Sequence, residues 1–267
     1  MLKDITLGQY YPGDSSIHKL DPRVKLVATV VYIVSLFVLK NAAGFLVATA
    51  FLIFITVTAG LPVKLLWKGL KLIWILVGIT AFFNLFFTQG DVLLVHWHFI
   101  KITDQGLYNA VFFSIRLIYL VLGTSVMTLT TTPNKLTDGM ETGLSPLKKI
   151  GVPIHEIAMM MSIALRFIPL LGEEADRIKK AQMARGADFE SGGLIKRAKA
   201  LIPLLVPLFV SSFRRAEDLA LAMEARCYHG GEGRTKMKPL SYAGRDGVAY
   251  LITAGYLAGI ILTRVLA

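Results

Sequence analysis

Residues 41–63 read NAAGFLVATAFLIFITVTAGLPV and carry no charged side chain. A helix that crosses a bilayer takes about 20 mostly apolar residues, so this stretch reads as a membrane span. Working outward, further uncharged runs cover 26–39, 72–90, 117–134 and 247–263. The run 72–90 qualifies directly, and 247–263 just does. The run 26–39 is short, but Lys25 and Lys40 at its ends can lay their stems along apolar surface and reach water with their heads. The run 117–134 becomes a full span when it begins near Leu107 and includes Arg116. Five spans are therefore predicted, at about 24–40, 42–60, 70–88, 107–131 and 245–264. The fold class that follows is an all-α polytopic membrane protein.

This blocking accounts for the composition. The 267 residues are 54% hydrophobic and 18% charged, with a mean hydropathy of +0.59, against about 25% charged in ordinary soluble domains. Lys and Arg nevertheless outnumber Asp and Glu 29 to 18, a net +11. A soluble nucleic-acid binder does not fit so apolar a chain. The single cysteine, Cys227, excludes an internal disulfide framework and a cysteine-based zinc cluster. The first apolar run is not read as a cleavable signal, because a polar, turn-rich segment precedes it and no small-residue cleavage site follows. Asp21 is placed to cap a helix that starts at Pro22. Positive charge collects on one side when the N-terminus is cytoplasmic. All Lys and Arg then lie inside except Lys40, Lys101, Arg116 and Arg264. The C-terminus is expected outside.

Three regions follow: residues 1–131 with the first four spans, 132–243 as a cytoplasmic domain, and 244–267 with the last span. The middle region holds apolar stretches at 157–171 and 201–213. Both are short for a span, and Arg166, Pro203 and Pro207 interrupt them. They read as helices lying at the cytoplasmic membrane face or against another protein. Met159, Met160 and Met161 suit an adaptable contact surface, although taken alone core filling explains them more simply. An internal repeat joins EEADRIKKAQMARG (173–186) to RRAEDLALAMEARC (214–227) at an offset of 41. Ala175, Ala181, Ala184 and Arg185 match Ala216, Ala222, Ala225 and Arg226. In the second copy Phe209, Phe213, Ala216, Ala220 and Met223 share one helical face, and the small alanines there predict a close helix crossing.

Each copy ends in Ala-Arg followed by a small residue. One reading is local: a cation offsets the helix dipole and Gly186 supplies a left-handed cap. The other is recognition, since a guanidinium is a rigid fork of five donors, and two matching forks suit two similar sockets on a twofold partner. No phosphate-binding loop, zinc-protease motif or nucleophile elbow occurs. His96 and His98 lie in an expected external loop, 89–106, without a third metal ligand nearby. Arg116 is the charge deep in a span, placed either to pair within the bundle or to snorkel. Gly255 and Gly259 form a small-residue pattern that permits close helix packing.

Several stretches resemble the transmembrane coupling subunit of energy-coupling factor transporters, the EcfT family. They are TTTPNKL (130–136), PLKKIGVPIHEIAMMMSIALRFIPLL (146–171), AQMARGADF (181–189), VPLFVSSFRRAEDLALAMEARC (206–227) and GGEGRTK (230–236), with LDPRVKL (20–26) and FFNLFF (82–87) ahead of them. The resemblance implies a non-catalytic membrane scaffold with crossed coupling helices. It implies docking of two ABC-type ATPases, as a homodimer or heterodimer, at Ala184, Arg185 and Gly186 and at Ala225, Arg226 and Cys227. Cys227 stands where the family usually has glycine, and its Cβ strains a left-handed cap. It also implies that Met159, Met160, Leu205 and Phe209 meet a small substrate-binding membrane protein that captures a vitamin or metal ion. The chain itself is expected to hold no cofactor or metal, with ATP and Mg on the partner ATPases. The family is prokaryotic and sits in the cell membrane. The alternative reading is a polytopic membrane enzyme with a cytoplasmic active site. That reading needs clustered acids, bases or metal ligands, and the carboxylates here sit mainly beside Lys and Arg on helical faces.

Overall fold

Asp21 starts the first helix as its sequence suggests: the carboxylate accepts the backbone N–H of Arg23, and Pro22 stands in the first turn. In the computed structural model, residues 10–39, 41–71, 73–88, 93–97, 100–189, 191, 193–231, 237 and 239–266 are described. They form ten α-helices, one 3₁₀ turn and a short hairpin: α1 Pro22–Val38, α2 Ala42–Ala59, α3 Val63–Leu70, α4 Ile73–Phe87, β1 Leu93–Trp97, β2 Ile100–Thr103, α5 Asp104–Thr130, α6 Pro133–Gly143, the 3₁₀ turn Ser145–Ile150, α7 Ile154–Ala184, α8 Leu194–Ala200, α9 Ile202–Glu224 and α10 Gly244–Val265. The expectations placed on Lys40, on His98 and on residues 232–236 of the GGEGRTK stretch fall outside the described residues. Contacts divide the chain into two units. One takes the described residues up to Gly139 together with those from Leu240 onward, and the other takes Met140–Pro239.

The first unit holds the helices of all five predicted spans. By length and hydropathy α2, α5 and α10 are long and apolar enough to cross a membrane, and α3 with α4, bent by 55° where they join, meets the same measure as a pair. α1, with 17 residues, stands at the lower limit of span length. The lysines expected in a loop before the third span are instead on α3. Its Leu66 and Leu70 are buried while Lys64 and Lys68 face out, an amphipathic pattern too short to read with certainty from sequence. The expected external loop likewise contains the antiparallel pair β1–β2, and α5 begins as early as Asp104.

Between apolar helices in lipid, close packing and hydrogen bonds replace the drive to leave water. Tyr32, Leu36, Leu39, Ala48, Tyr256 and Ile260 form the main core. The Phe51 and Tyr256 rings stack 4.0 Å apart, the Tyr32 hydroxyl donates to the Tyr119 carbonyl, and Ser35 pairs with the Tyr256 hydroxyl at 2.7 Å. Gly123 is what lets α5 approach, because a Cβ there would run into the Tyr32 ring. Of the two glycines in the last span, Gly259 faces Val47 of α2 and Gly255 meets no neighbour. Only half of that pattern is used for packing.

Polar groups in this unit go to helix ends, where backbone partners are missing. The buried Lys25 ammonium donates to the Thr130 carbonyl at 2.8 Å, to Thr131 Oγ1 at 3.2 Å and to the His18 carbonyl at 3.4 Å, closing the C-terminus of α5. Arg116 does the same for α1, donating to the Leu39 carbonyl at 3.0 Å with Phe112 and Phe113 against its guanidinium. It therefore pairs within the bundle. Asn41 donates to the Thr263 carbonyl of α10. At the opposite polarity, the buried Asp246 carboxylate accepts from the Asp21 N–H at 2.9 Å and the Ala243 N–H at 2.8 Å, joining the N-termini of α1 and α10.

In the second unit, α7 extends well beyond its apolar run. Its first turn starts at Ile154, and the apolar part meets the same length and hydropathy measure as a span. The 157–171 stretch read from sequence was shorter because Glu156 interrupts the pattern while the helix runs through it. The second half of α7 carries Glu173, Glu174, Asp176, Arg177, Lys179 and Lys180. His155 near its start pairs with Glu141 at 2.8 Å.

Candidate partner-docking site

The repeat found in the sequence folds as two helices, α7 and α9, that run past each other in opposite directions. Glu174 of α7 binds Arg215 of α9 at 2.9 Å, and further along α7 the Gln182 amide reaches the Pro203 carbonyl near the start of α9 at 3.4 Å. That second contact has a local cause. Pro207 has no N–H, so the Pro203 carbonyl lacks its helical donor, and Gln182 supplies one from outside.

The crossing uses a different line of α9 from the one predicted. Of the predicted line, Phe209, Phe213, Ala216 and Ala220 are exposed and Met223 alone is partly covered, whereas Leu208, Arg215 and Leu219, off that line, are partly covered. The ion pair between Glu174 and Arg215 sits one residue before Ala216, which turns the alanine face outward. The face carrying Leu205, Phe209 and Phe213 is consequently open too.

Both helices end in the same hydrogen-bond pattern. In α7 the Gly186 N–H donates to the Met183 carbonyl at 3.0 Å and the Ala187 N–H to the Gln182 carbonyl at 3.0 Å. In α9 the Cys227 N–H donates to the Glu224 carbonyl at 2.8 Å and the Tyr228 N–H to the Met223 carbonyl at 3.1 Å. This is a Schellman cap twice over, with each arginine at the last half-helical position and the next residue left-handed. Gly186 has φ 88° and Cys227 has φ 57°. Among the described residues Cys227 is the one non-glycine with positive φ. The second tip thus keeps the first tip's backbone geometry, at a cost of roughly 1–2 kcal/mol for a side chain in this conformation.

The tips present their residues alike. Ala184, Arg185 and Gly186 are exposed, as are Ala225, Arg226 and Cys227. Neither the Arg185 nor the Arg226 guanidinium has a hydrogen bond or ion pair among the described residues. Each lies about three turns, or ~16 Å of helix axis, beyond the Glu174–Arg215 crossing. Two free guanidiniums on equal, oppositely directed arms are chemically suited to two acceptor-lined sockets.

The apolar surface residues divide. Met160 is 58% exposed, Leu205 54% and Phe209 64%, so more than half of each lies uncovered by the described residues. Met159 is only partly exposed. The Phe209 ring lies 4.7 Å from that of Phe213, extending the patch one turn along α9. Leu205, Phe209 and Phe213 follow one another at four-residue spacing on one face of α9, and large exposed apolar groups gathered in this way mark an interaction surface, while Met160 is exposed on α7 at the other side of the Glu174–Arg215 contact. Among the described residues, no group of three or more His, Cys, Asp or Glu side chains is arranged to hold a metal.

Comparison with known proteins adds an independent line. Residues 13–237 match the family model CbiQ, described as cobalt transport protein. The energy-coupling factor transporter transmembrane protein EcfT of Clostridium kluyveri is 53% identical over 266 residues, covering 99% of this chain and 98% of that protein. The protein of the same name from Acidaminococcus fermentans is 53% identical over 252 residues, 94% of each chain. That of Bacillus subtilis is 48% identical over 247 residues, 92% of this chain and 93% of its own. With spans, repeat and end-to-end likeness in agreement, the chain belongs to the EcfT family, the transmembrane component of energy-coupling factor transporters.

Proposed function

We propose that this chain is the non-catalytic coupling scaffold of an importer for vitamins or other micronutrients, standing between two cytoplasmic ABC-type ATPases and a small substrate-binding membrane protein. The observation that carries the reading is the pair of matched caps, which hold Arg185 and Arg226 exposed, unpaired and equally distant from the α7–α9 crossing. A symmetric or pseudo-symmetric ATPase pair supplies two like sockets, and ATP with Mg binds there rather than on this chain. Drawing the ATPases together moves two arms that share one crossing, and that motion is passed to whatever rests on the apolar faces of α7 and α9. Leu205 and Phe209 supply the α9 face, and Met160, with Met159 beside it, supplies the α7 face.

The positive-inside pattern supports a cytoplasmic N-terminus, a cytoplasmic α7–α9 region and an outside C-terminus in the cell membrane of a prokaryote. Arg166 and Pro169 within the apolar part of α7, and the dense charge of its second half, favour a position at the membrane face.

The test is the double variant Arg185→Glu, Arg226→Glu, in the tagged full chain purified with its membrane partners. ATPase subunits are expected to be lost while membrane insertion is kept. Undiminished ATPase recovery would overturn the docking role. Met160→Glu or Leu205→Glu is expected to reduce recovery of the small membrane protein more than that of the ATPases, and equal loss of both would remove the assignment of that surface.

A further inference from the structure

A cavity of about 340 Å³ lies within the first unit, between α1, α2, α5 and α10. Its position follows from the ends of these helices. Lys25 and Arg245 lie in the first turns of α1 and α10, and Thr58 and Thr130 in the last turns of α2 and α5. The Asp246 bond to the Asp21 N–H ties the two starts together. All four segments therefore belong to one end of the bundle. The other limit of the cavity is set by Tyr32, Phe51 and Gly123. From Lys25 to Tyr32 is about 10 Å along a helix, within the ~15 Å depth of one leaflet's share of a ~30 Å hydrocarbon core.

The walls are drier than their composition suggests. Four threonines line the cavity, and each spends its hydroxyl on a carbonyl of its own helix: Thr29 on Lys25, Thr58 on Phe54, Thr130 on Val126 and Thr253 on Ala249. The Lys25 ammonium spends its donors on the end of α5 and its surroundings. A polar small molecule would find little to bond in the interior, whereas an alkyl chain would lose nothing by entering. At the mouth the situation reverses. Arg245 and Ser16 are exposed lining residues whose side chains make no hydrogen bond to each other or to the other described residues, and the Lys25 charge also lines the cavity. Phe54 and Val248 stand exposed at the rim, so the cavity is open toward the side.

We propose that this cavity binds a single anionic phospholipid of the adjoining leaflet, one acyl chain lying against Tyr32, Phe51 and Leu52 and the phosphate resting at Arg245 and Ser16. A basic mouth over an apolar slot between spanning helices is the chemistry that selects an anionic headgroup at that depth. The commitment is to a lipid and not to a partner helix. The opening is matched by charge to a headgroup at the membrane surface, and the interior tapers to the stacked Phe51 and Tyr256 rings behind Tyr32.

The full chain in nanodiscs of phosphatidylglycerol and phosphatidylethanolamine is exposed to phosphatidylglycerol carrying a diazirine near the end of one acyl chain. Phosphatidylcholine with the same chain is run in parallel. After irradiation the label is mapped by peptide mass. Label is expected on Tyr32, Phe51 or Leu52, and phosphatidylglycerol is expected to exceed phosphatidylcholine there. Arg245→Gln should cut the phosphatidylglycerol label roughly fivefold, the equivalent of ~1 kcal/mol for one basic residue near the surface, and leave the phosphatidylcholine label unchanged. Ala249→Trp should fill the cavity and abolish both labels. Ala28→Leu, from the facing helix, does the same with a smaller side chain should the tryptophan variant fail to insert. Label confined to outward residues such as Val30, Val34 and Phe37, equal labelling by the two lipids, or persistence in a filled cavity would each overturn the site. So would disappearance of the floor label when the chain is purified with its membrane partners, which would assign the cavity to protein.

Discussion

Glu174 and Arg215 occupy the same position in the two copies of the repeat, and they bind each other. When two equivalent residues meet, the axis relating the copies passes between them. The antiparallel crossing of α7 and α9 is thus a local pseudo-twofold built into a single chain. The Arg185 and Arg226 caps are its two matched ends. One residue has become acidic and its counterpart basic, which turns a like-charge clash at the axis into an ion pair.

The pair can be tested by exchange. Glu174→Arg or Arg215→Glu alone brings two like charges together at the crossing. Each should cost about 1 kcal/mol, given that both side chains are partly solvated. The double exchange Glu174→Arg, Arg215→Glu should restore most of that. Hydrogen exchange at the amides of Leu208–Leu219 reads the effect directly. Faster exchange in each single variant and recovery in the double one is expected, and additive loss in the double variant would mean that the pair is not what joins the helices.

The second tip makes a separate prediction. Cys227 holds a left-handed backbone that glycine adopts without cost. Cys227→Gly should therefore stabilise the cap by about 1 kcal/mol and slow exchange of the Tyr228 amide, which closes the outer hydrogen bond. Cys227→Val should have the opposite effect, since branching at Cβ penalises this conformation further. Recovery of ATPase subunits should be kept or improved by the glycine variant and lowered by valine.

Much of this arrangement was legible in the sequence, for reasons that differ by residue. Asp21-Pro22 marks a helix start locally, and Arg185-Gly186 marks an end locally, because each needs only its own neighbours. The repeat also gave the equivalence of Arg226 with Arg185. The link that Asp246 makes to α1 could not be read, because the N–H it accepts there belongs to Asp21, at the far end of the chain. Arg116 was recognisable as an intramembrane charge, but its partner is a backbone carbonyl, which leaves no trace in side-chain pattern. The outward turn of Ala216 and Ala220 escaped for a similar reason. A helical-face argument weighs apolar size, and here a single charged pair decided which line of α9 faces α7.

Acid should weaken the start of α1, where the Asp21 carboxylate caps the helix. Burial on its own would raise the Asp21 carboxyl, but hydrogen bonds from the Arg23 side chain and backbone, with its charge, outweigh burial and hold the group below its ordinary value. A carboxyl lowered on folding contributes stability that is fully present above its unfolded value of about 3.9 and is lost as pH falls through the folded one. The melting temperature in detergent should thus decline as pH drops below about 4. Asp21→Asn should lower it at neutral pH and flatten that part of the profile. An unchanged slope in the variant would place the acid sensitivity elsewhere.

Arg116 separates a structural charge from a transport charge. Its guanidinium is held by the Leu39 carbonyl at the end of α1 and by the faces of Phe112 and Phe113. Arg116→Leu leaves that carbonyl without a donor in apolar surroundings, a loss of about 1–3 kcal/mol. Arg116→Lys keeps a donor and should lose less, although an ammonium cannot lie flat against the rings as a guanidinium does. Thermal unfolding should therefore rank wild type above lysine above leucine. Uptake per correctly assembled complex should stay near the wild-type level in both variants, because the charge is spent on closing a helix. A lysine variant that is stable yet transport-dead would instead mark Arg116 as part of the moving machinery.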